Sequence, residues 1–121
     1  MYQYRVEKVV RVVDGDTVDV LIDMGFSIKF KSRVRLHGIN APESRTRDKA
    51  EKRRGMAAKK RLKELLKTDD LIIATKLDKK GKYGRVLGTF LAKHGNKRLD
   101  VNAELVKEGH AVEYFGGKRK K

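Results

Sequence analysis

Between Phe26 and Leu36, apolar and polar side chains take turns. Phe26, Ile28, Phe30, Val34 and Leu36 alternate with Ser27, Lys29, Lys31, Arg33 and Arg35. A period of two belongs to a strand with one face on a core. The pattern therefore predicts a strand with Phe30, Val34 and Leu36 inward and Arg35 on a basic outer stripe. Upstream, Val9, Val10, Val12 and Val13 form a β-branched run that ends at an Asp14-Gly15 turn signal. Residues 17–23 follow as a second strand with Val18, Val20 and Ile22 on one face, and Met24-Gly25 marks the next turn. From Asp48 the period becomes helical: Gly55, Ala58, Leu62, Leu65 and Leu66 share one face among Lys, Arg and Glu. The helix core is predicted over 55–67, with a start as early as Asp48 compatible with the pattern. Gly55 at the apolar edge points to close approach of a strand. Residues 71–76 and 86–92 read as two further strands joined by a glycine-containing loop at 78–81, and 101–108 as a short helix closed by Gly109. Five strands with a helix between the third and fourth predict an α+β, mainly β fold, a five-stranded OB-type barrel.

Composition narrows the class. A chain of 121 residues with 39% hydrophobic positions supports one domain and one core. The expected division is a domain at 1–115 and a basic, disordered tail at 116–121. There is no apolar run long enough to span a membrane and no apolar stretch behind Met1 to serve as a signal. A soluble, cytoplasmic protein without a membrane partner is expected, secretion of a processed form remaining compatible. The absence of cysteine removes disulfides and thiolate metal sites. The net charge of +15, from 31 Lys and Arg against 16 Asp and Glu, favours a polyanion partner, nucleic acid first. Over half of it falls in residues 45–67, where eleven Lys and Arg, Arg53 and Arg54 among them, face three acidic residues. A solvated helix face would account for the same run. On so basic a chain, contact with phosphates is the stronger expectation.

Three separated strings carry the candidate chemistry. Asp14-Gly15-Asp16-Thr17 offers hard oxygen ligands to a divalent cation, although alone it is an ordinary turn. Arg35, followed by Asn40-Ala41-Pro42-Glu43, offers a guanidinium and a carboxylate on a loop stiffened by proline. Lys82-Tyr83-Gly84-Arg85 offers a second arginine beside a lysine and a tyrosine. A phosphodiester gains negative charge on the way to its transition state and needs an aimed water. Two arginines, a metal and a carboxylate meet those needs. Read singly, Arg35 and Arg85 could be solvent-facing strand residues and Glu43 a loop cap. His37, His94 and His110 lack paired ligand spacing and are expected to be structural or exposed, with His37 on the strand face of Arg35. Tyr114 and Phe115 could stack on a base or close the core.

In order and local spacing these strings resemble the staphylococcal nuclease (thermonuclease) family, over roughly residues 9–114. The resemblance implies one Ca2+ held by Asp16, the Asn40 side chain and the Ala41 backbone carbonyl, with Asp14 supporting from nearby. It implies a phosphate clamp of Arg35 and Arg85, water activation by Glu43, and substrate contacts from Lys82, Tyr83 and Tyr114. The implied activity is calcium-dependent endonucleolytic hydrolysis of single-stranded or frayed DNA and RNA, leaving 3′-phosphate ends, by a monomer. A catalytically weak or inactive OB-fold module that grips nucleic acid or protein is the alternative. The retained Glu43 weighs against it, because binding a polyanion needs positive charge and not a carboxylate. Two departures stand out. The family usually has aspartate where this chain has Asn40, and the chain ends soon after the second helix, where founding members carry a third.

Overall fold

The Asp-Gly turn folds the front of the chain back on itself. The computed structural model describes residues 2–77 and 86–114. In chain order its elements are β1 (Tyr2–Asp14), β2 (Thr17–Asp23), β3 (Lys29–Leu36), β4 (Ile39–Asn40), α1 (Lys49–Leu66) and β5 (Leu71–Leu77). They continue with β6 (Val86–His94), β7 (Lys97–Asp100), α2 (Val101–Lys107) and β8 (Val112–Glu113). β1 reaches well upstream of its valine run. Three register irregularities between Val6 and Asp14 bend it, so that Arg5 to Asp14 pair with β2 while Tyr2 to Arg5 pair with β5. β2 pairs with β3 and β5 with β6, both antiparallel. Val34, Arg35 and Leu36 then run parallel to Val86, Leu87 and Gly88 of β6. That last pairing closes the five-stranded OB-type barrel expected from the pattern. β7 extends β6 at the edge, and β4 and β8 form a separate two-stranded bridge. The predicted loop at 78–81 and the tail at 116–121 lie outside the described residues.

The interior is filled by Val18, Val20, Val34, Leu36, Ile73 and Phe90 from the barrel, with Leu62, Val101 and Leu105 from the helices. α1 buries Gly55, Ala58, Leu62, Leu65 and Leu66, the face read from the sequence. It starts at Lys49, the early end of the predicted range. Asp48 caps it, its carboxylate accepting from the Ala50 and Glu51 amides at 3.0 and 3.2 Å. α2 adds a buried polar brace. The Asn102 amide nitrogen donates to the carbonyls of His37 and Gly88 at 2.9 and 3.0 Å, and its oxygen accepts from the Phe90 amide at 3.3 Å. One residue thus ties β6 to the exit of β3.

The alternating segment needs correction at its front. Val34 and Leu36 are buried as expected, but Phe26 is 99% exposed, Ile28 58% and Phe30 49%. β6 pairs only with the last three residues of β3. Among the described residues, β3 upstream of Val34 has β2 on one side and no strand on the other, and the apolar side chains there are exposed. The strand also begins at Lys29, because Gly25, Phe26 and Ser27 form a turn with φ of 82, 52 and 64° that throws Phe26 into solvent. The outer basic stripe is not a continuous positive track either. Arg33 donates to Asp19 at 2.8 Å, Lys29 is paired with Glu7, and Arg35 turns to Asp16. The Arg33 guanidinium holds the Asp19 carboxyl below its ordinary range.

The two helices are joined by a forked ion pair, Arg61 Nε and Nη2 donating to the Glu108 carboxylate at 2.6 and 2.9 Å. Arg61, with a hydrogen bond from Glu104 adding to it, pushes the Glu108 carboxyl from 4.5 down to about 2. A depressed carboxyl stabilises the fold above its unfolded pKa and loses that contribution as pH falls through the folded value. An Arg61→Ala, Glu108→Ala double-mutant cycle should give a coupling of about 0.5–1 kcal/mol at neutral pH. Chemical denaturation should show it disappearing as pH falls from 4.5 toward about 2. Leu36, 1% exposed, should cost about 2–5 kcal/mol on change to alanine. Phe30→Ala should cost about 1 kcal/mol or less. Equal losses in thermal denaturation would mean that the front of β3 is covered after all.

Candidate active site

The barrel register brings the separated strings together. Asp14 pairs with Thr17 across the β1–β2 turn, and Thr17 pairs in turn with Arg35 on β3. Asp16, at the tip of that turn, is 7% exposed. Its Oδ2 accepts from the Ala41 amide at 2.9 Å and lies 3.0 Å from Arg35 Nη1. Its Oδ1 accepts from the Thr17 hydroxyl at 2.9 Å. The second terminal nitrogen of Arg35 donates to the Ile39 carbonyl at 3.2 Å and to Asn40 Oδ1 at 3.3 Å. One guanidinium therefore gathers a carboxylate from the β1–β2 turn and a backbone carbonyl and an amide oxygen from β4. Tyr114 completes the surround. Its ring centre lies 5.9 Å from the Arg35 guanidinium carbon, and its amide donates to the Gly38 carbonyl at 2.8 Å. The β4–β8 bridge, which pairs Ile39 with Glu113 and Asn40 with Val112, carries it there. Tyr114 is half-buried over the arginine rather than packed in the core.

The loop after β4 carries Glu43, whose side chain is exposed beside the buried Ser44. Asp14 accepts from the Ser44 amide at 3.2 Å and from its hydroxyl. Its carboxylate thus engages the Glu43 loop. Gly55 of α1 abuts that same loop rather than a strand as the sequence had suggested. A Cβ there would stand 2.3 Å from the Glu43 carbonyl oxygen. Arg53 and Arg54, just ahead of Gly55, are exposed, which brings the basic end of α1 next to the loop. Not every cation of the 45–67 run is available to a polyanion, since Arg61 is held by Glu108. Lys82, Tyr83, Arg85 and Phe115 lie outside the described residues.

The oxygens present fit a hard divalent cation better than a soft one. Among the described residues no three His, Asp or Glu side chains cluster. The Asp16 carboxylate and the Asn40 amide, both drawn to one arginine, leave a sparse, oxygen-only donor set of the kind calcium accepts. The His94 and His110 rings bond elsewhere. His94 Nε2 bonds the Leu65 carbonyl at 2.8 Å, His110 lies 3.9 Å from Glu108, and the His37 amide donates to the Gly88 carbonyl at 2.8 Å. Sequence reasoning missed Ser44 and Asn102. Ser44, one residue past Glu43, has no pattern signal. Asn102 gave a faint one, as an amide in the first turn of a helix whose neighbours Val101 and Leu105 are buried.

A closed five-stranded barrel with an arginine and two oxygen-bearing side chains at its β1–β2 turn defines a small nuclease-like domain. Residues 33–121 match the family described as staphylococcal nuclease homologue, and the chain belongs to that family. The matched segment begins after the Asp14–Asp16 turn, which joins the site through the fold. Protein ParB of Escherichia coli is 36% identical over 114 residues, covering 88% of this chain and 56% of that protein. Micrococcal nuclease of Shigella flexneri is 36% identical over 112 residues, covering 88% and 57%. Endonuclease YhcR of Bacillus subtilis is 34% identical over 111 residues, covering 87% of this chain and 8% of that much longer protein. The chain thus spans just over half the length of the first two. Among the described residues no helix is long and apolar enough to cross a membrane.

Proposed function

We propose that this domain is a calcium-dependent endonuclease that hydrolyses phosphodiester bonds of DNA and RNA. The observation that carries the reading is the Asp16–Arg35–Asn40 cluster. Cation-binding oxygens and a phosphate-binding guanidinium meet within 3.3 Å in a half-buried place, with the exposed carboxylate of Glu43 on the adjoining loop. Asp16, the Asn40 side chain and the Ala41 carbonyl would hold the metal. Bound calcium would withdraw charge from the phosphate and make a neighbouring water more acidic. Arg35 presents planar donors to a non-bridging phosphoryl oxygen, whose charge grows in the transition state. The Tyr114 ring and the Ile39 carbonyl limit where that guanidinium can point. Glu43 activates the attacking water by orienting it. Water oxygen bonds to phosphorus and gives up a proton to solvent or Glu43, the bond to the 5′-oxygen breaks, and that oxygen takes a proton from solvent to leave as a 5′-hydroxyl, so the other product ends in a 3′-phosphate. No step uses a 2′-hydroxyl, which suits both nucleic acids.

Arg85 is assigned as the second arginine of the clamp, and Lys82 and Tyr83 as contacts to the phosphate beyond the broken bond, by family resemblance. Arg53 and Arg54 would hold the strand away from the reacting phosphate. A barrel face of this size suits single-stranded or frayed substrate, read through backbone and stacked bases. A single chain suffices for the site, and action in the cytoplasm belongs to the same reading.

Asp16→Ala should abolish calcium-dependent cutting of single-stranded DNA while the circular dichroism spectrum is retained. Arg35→Ala should lower the single-turnover rate by about 10³. Arg53→Ala should instead change the salt slope of binding by about one unit. Full activity in excess chelator would remove calcium from the mechanism. Tight binding without cutting, at any calcium concentration, would leave the chain a nucleic-acid-binding module.

Asn40 supplies a neutral oxygen where an aspartate would supply an anion, and calcium affinity follows the charge of its ligands. Asn40→Asp should therefore tighten calcium binding in calorimetric titration without substrate. With a non-cleavable dinucleotide present the gap between the two proteins should narrow, because substrate phosphate supplies the missing charge. Equal affinities without substrate would show that residue 40 is not a ligand.

A further inference from the structure

Two carboxylates, on either side of Gly15, hold the two ends of the segment that carries Glu43. Asp16 accepts from the Ala41 amide at 2.9 Å, and Asp14 accepts from the Ser44 amide at 3.2 Å and from the Ser44 hydroxyl. Between these anchor points lie only Pro42, which has no N–H, and Glu43. The stretch itself is neither strand nor helix, since β4 ends at Asn40 and α1 begins at Lys49. α1 presses on it from a third side. A Cβ at Gly55 would sit 2.3 Å from the Glu43 carbonyl oxygen, 2.4 Å from its carbonyl carbon and 2.7 Å from the Ser44 nitrogen. Those are backbone atoms, which cannot turn aside. A Cβ at Gly15 would sit 2.6 Å from Ala58 Cβ and 3.0 Å from Ala41 Cβ, so the turn, the loop and the helix meet at small residues. Ser44 is 2% exposed, whereas the Glu43 side chain faces solvent.

We propose that Asp14, acting through Ser44, and Gly55, acting on the Glu43 backbone, are positioning residues for Glu43. As an effect on catalysis this rests on the hydrolytic reading above. A carboxylate that aims a water does so only as well as its backbone is held, and the loop has no regular structure of its own to hold it. The bracket assigns Asp14 to the loop rather than to the support of a cation.

Asp14→Ala and Ser44→Ala carry the test, because Gly55→Ala could unfold the contact outright. With single-stranded DNA and calcium both saturating, each should lower the rate on the order of 100-fold with KM unchanged. Asp14→Asn, whose amide oxygen can still accept from Ser44, should recover most of the loss. Either change made in a Glu43→Gln background should add little to the loss from Glu43→Gln alone, since residues acting as one unit are not additive. Calcium titration should give wild type and Asp14→Ala the same affinity. Additive losses would overturn the proposal. So would a weakened calcium affinity with full rate at saturating calcium, which would make Asp14 a support of the metal. Hydrogen exchange supplies a readout independent of cutting. The Ser44 amide should be protected in the wild type and exposed in Asp14→Ala, with the Ala41 amide still protected. Unchanged protection of Ser44 would overturn the bracket. A wild-type chain that cuts nothing would defeat the hydrolytic reading alone, and exchange would still decide whether Asp14 holds the loop.

Discussion

The contact between the Asp16 carboxylate, the Arg35 guanidinium and the Ala41 amide is the constraint on which the site depends. It joins the β1–β2 turn, the end of β3 and the loop after β4 at distances of 2.9 and 3.0 Å. A buried carboxylate needs donors to offset lost water, and a half-buried guanidinium needs acceptors. Each answers the other's requirement here. A charged pair survives in this place because the barrel delivers Arg35 opposite Thr17 by strand register, so little chain entropy remains to be lost in forming it. The same register presents the arginine where a phosphate could replace or join its acceptors.

Small residues set how closely the helix can approach. Gly55 and Ala58 lie on the buried face of α1, one against the Glu43–Ser44 backbone and the other against Gly15. A larger side chain at either position would push the helix off the turn and the loop together. The apolar face of α1 therefore does two jobs, its leucines filling the core and its small residues supporting the site. Arg53 and Arg54, exposed just ahead of Gly55, are brought toward the loop by this docking. Arg61, tied to Glu108, joins the two helices and takes no part in the exposed charge.

Much of the barrel was legible as pattern. Val18, Val20, Val34 and Leu36 alternate and are buried, and the Gly55-Ala58-Leu62-Leu65 face is the face that packs. Phe26, Ile28 and Phe30 continue the same alternation and are exposed, because a period of two says which side of a strand a residue is on and not whether anything covers that side. The parallel pairing with β6, which stops at Val34, decided it. The site was legible in a similar measure. Asp16, Arg35, Asn40 and Ala41 were singled out in the separated strings, and they come together with Tyr114. Ser44 and Asn102 were not, because a buried serine or asparagine is recognisable only once the backbone groups it satisfies are known.

What the chain determined by itself is therefore what depends on neighbours a few residues away. This covers the strand and helix periods, the turn at Asp14-Gly15, and an excess of positive charge suited to a polyanion. Those features follow from sterics, local hydrogen bonds and composition, all of which act over short stretches. The tertiary structure decided which carboxylate meets Arg35, which one holds Ser44, and what lies over the inner face of β3. Each of those outcomes depends on strand register and on the closeness of one helix to two loops. Such contacts join residues 14 to 44, 16 to 35 and 15 to 58, pairs that no local spacing relates and that strand register and helix docking bring within reach.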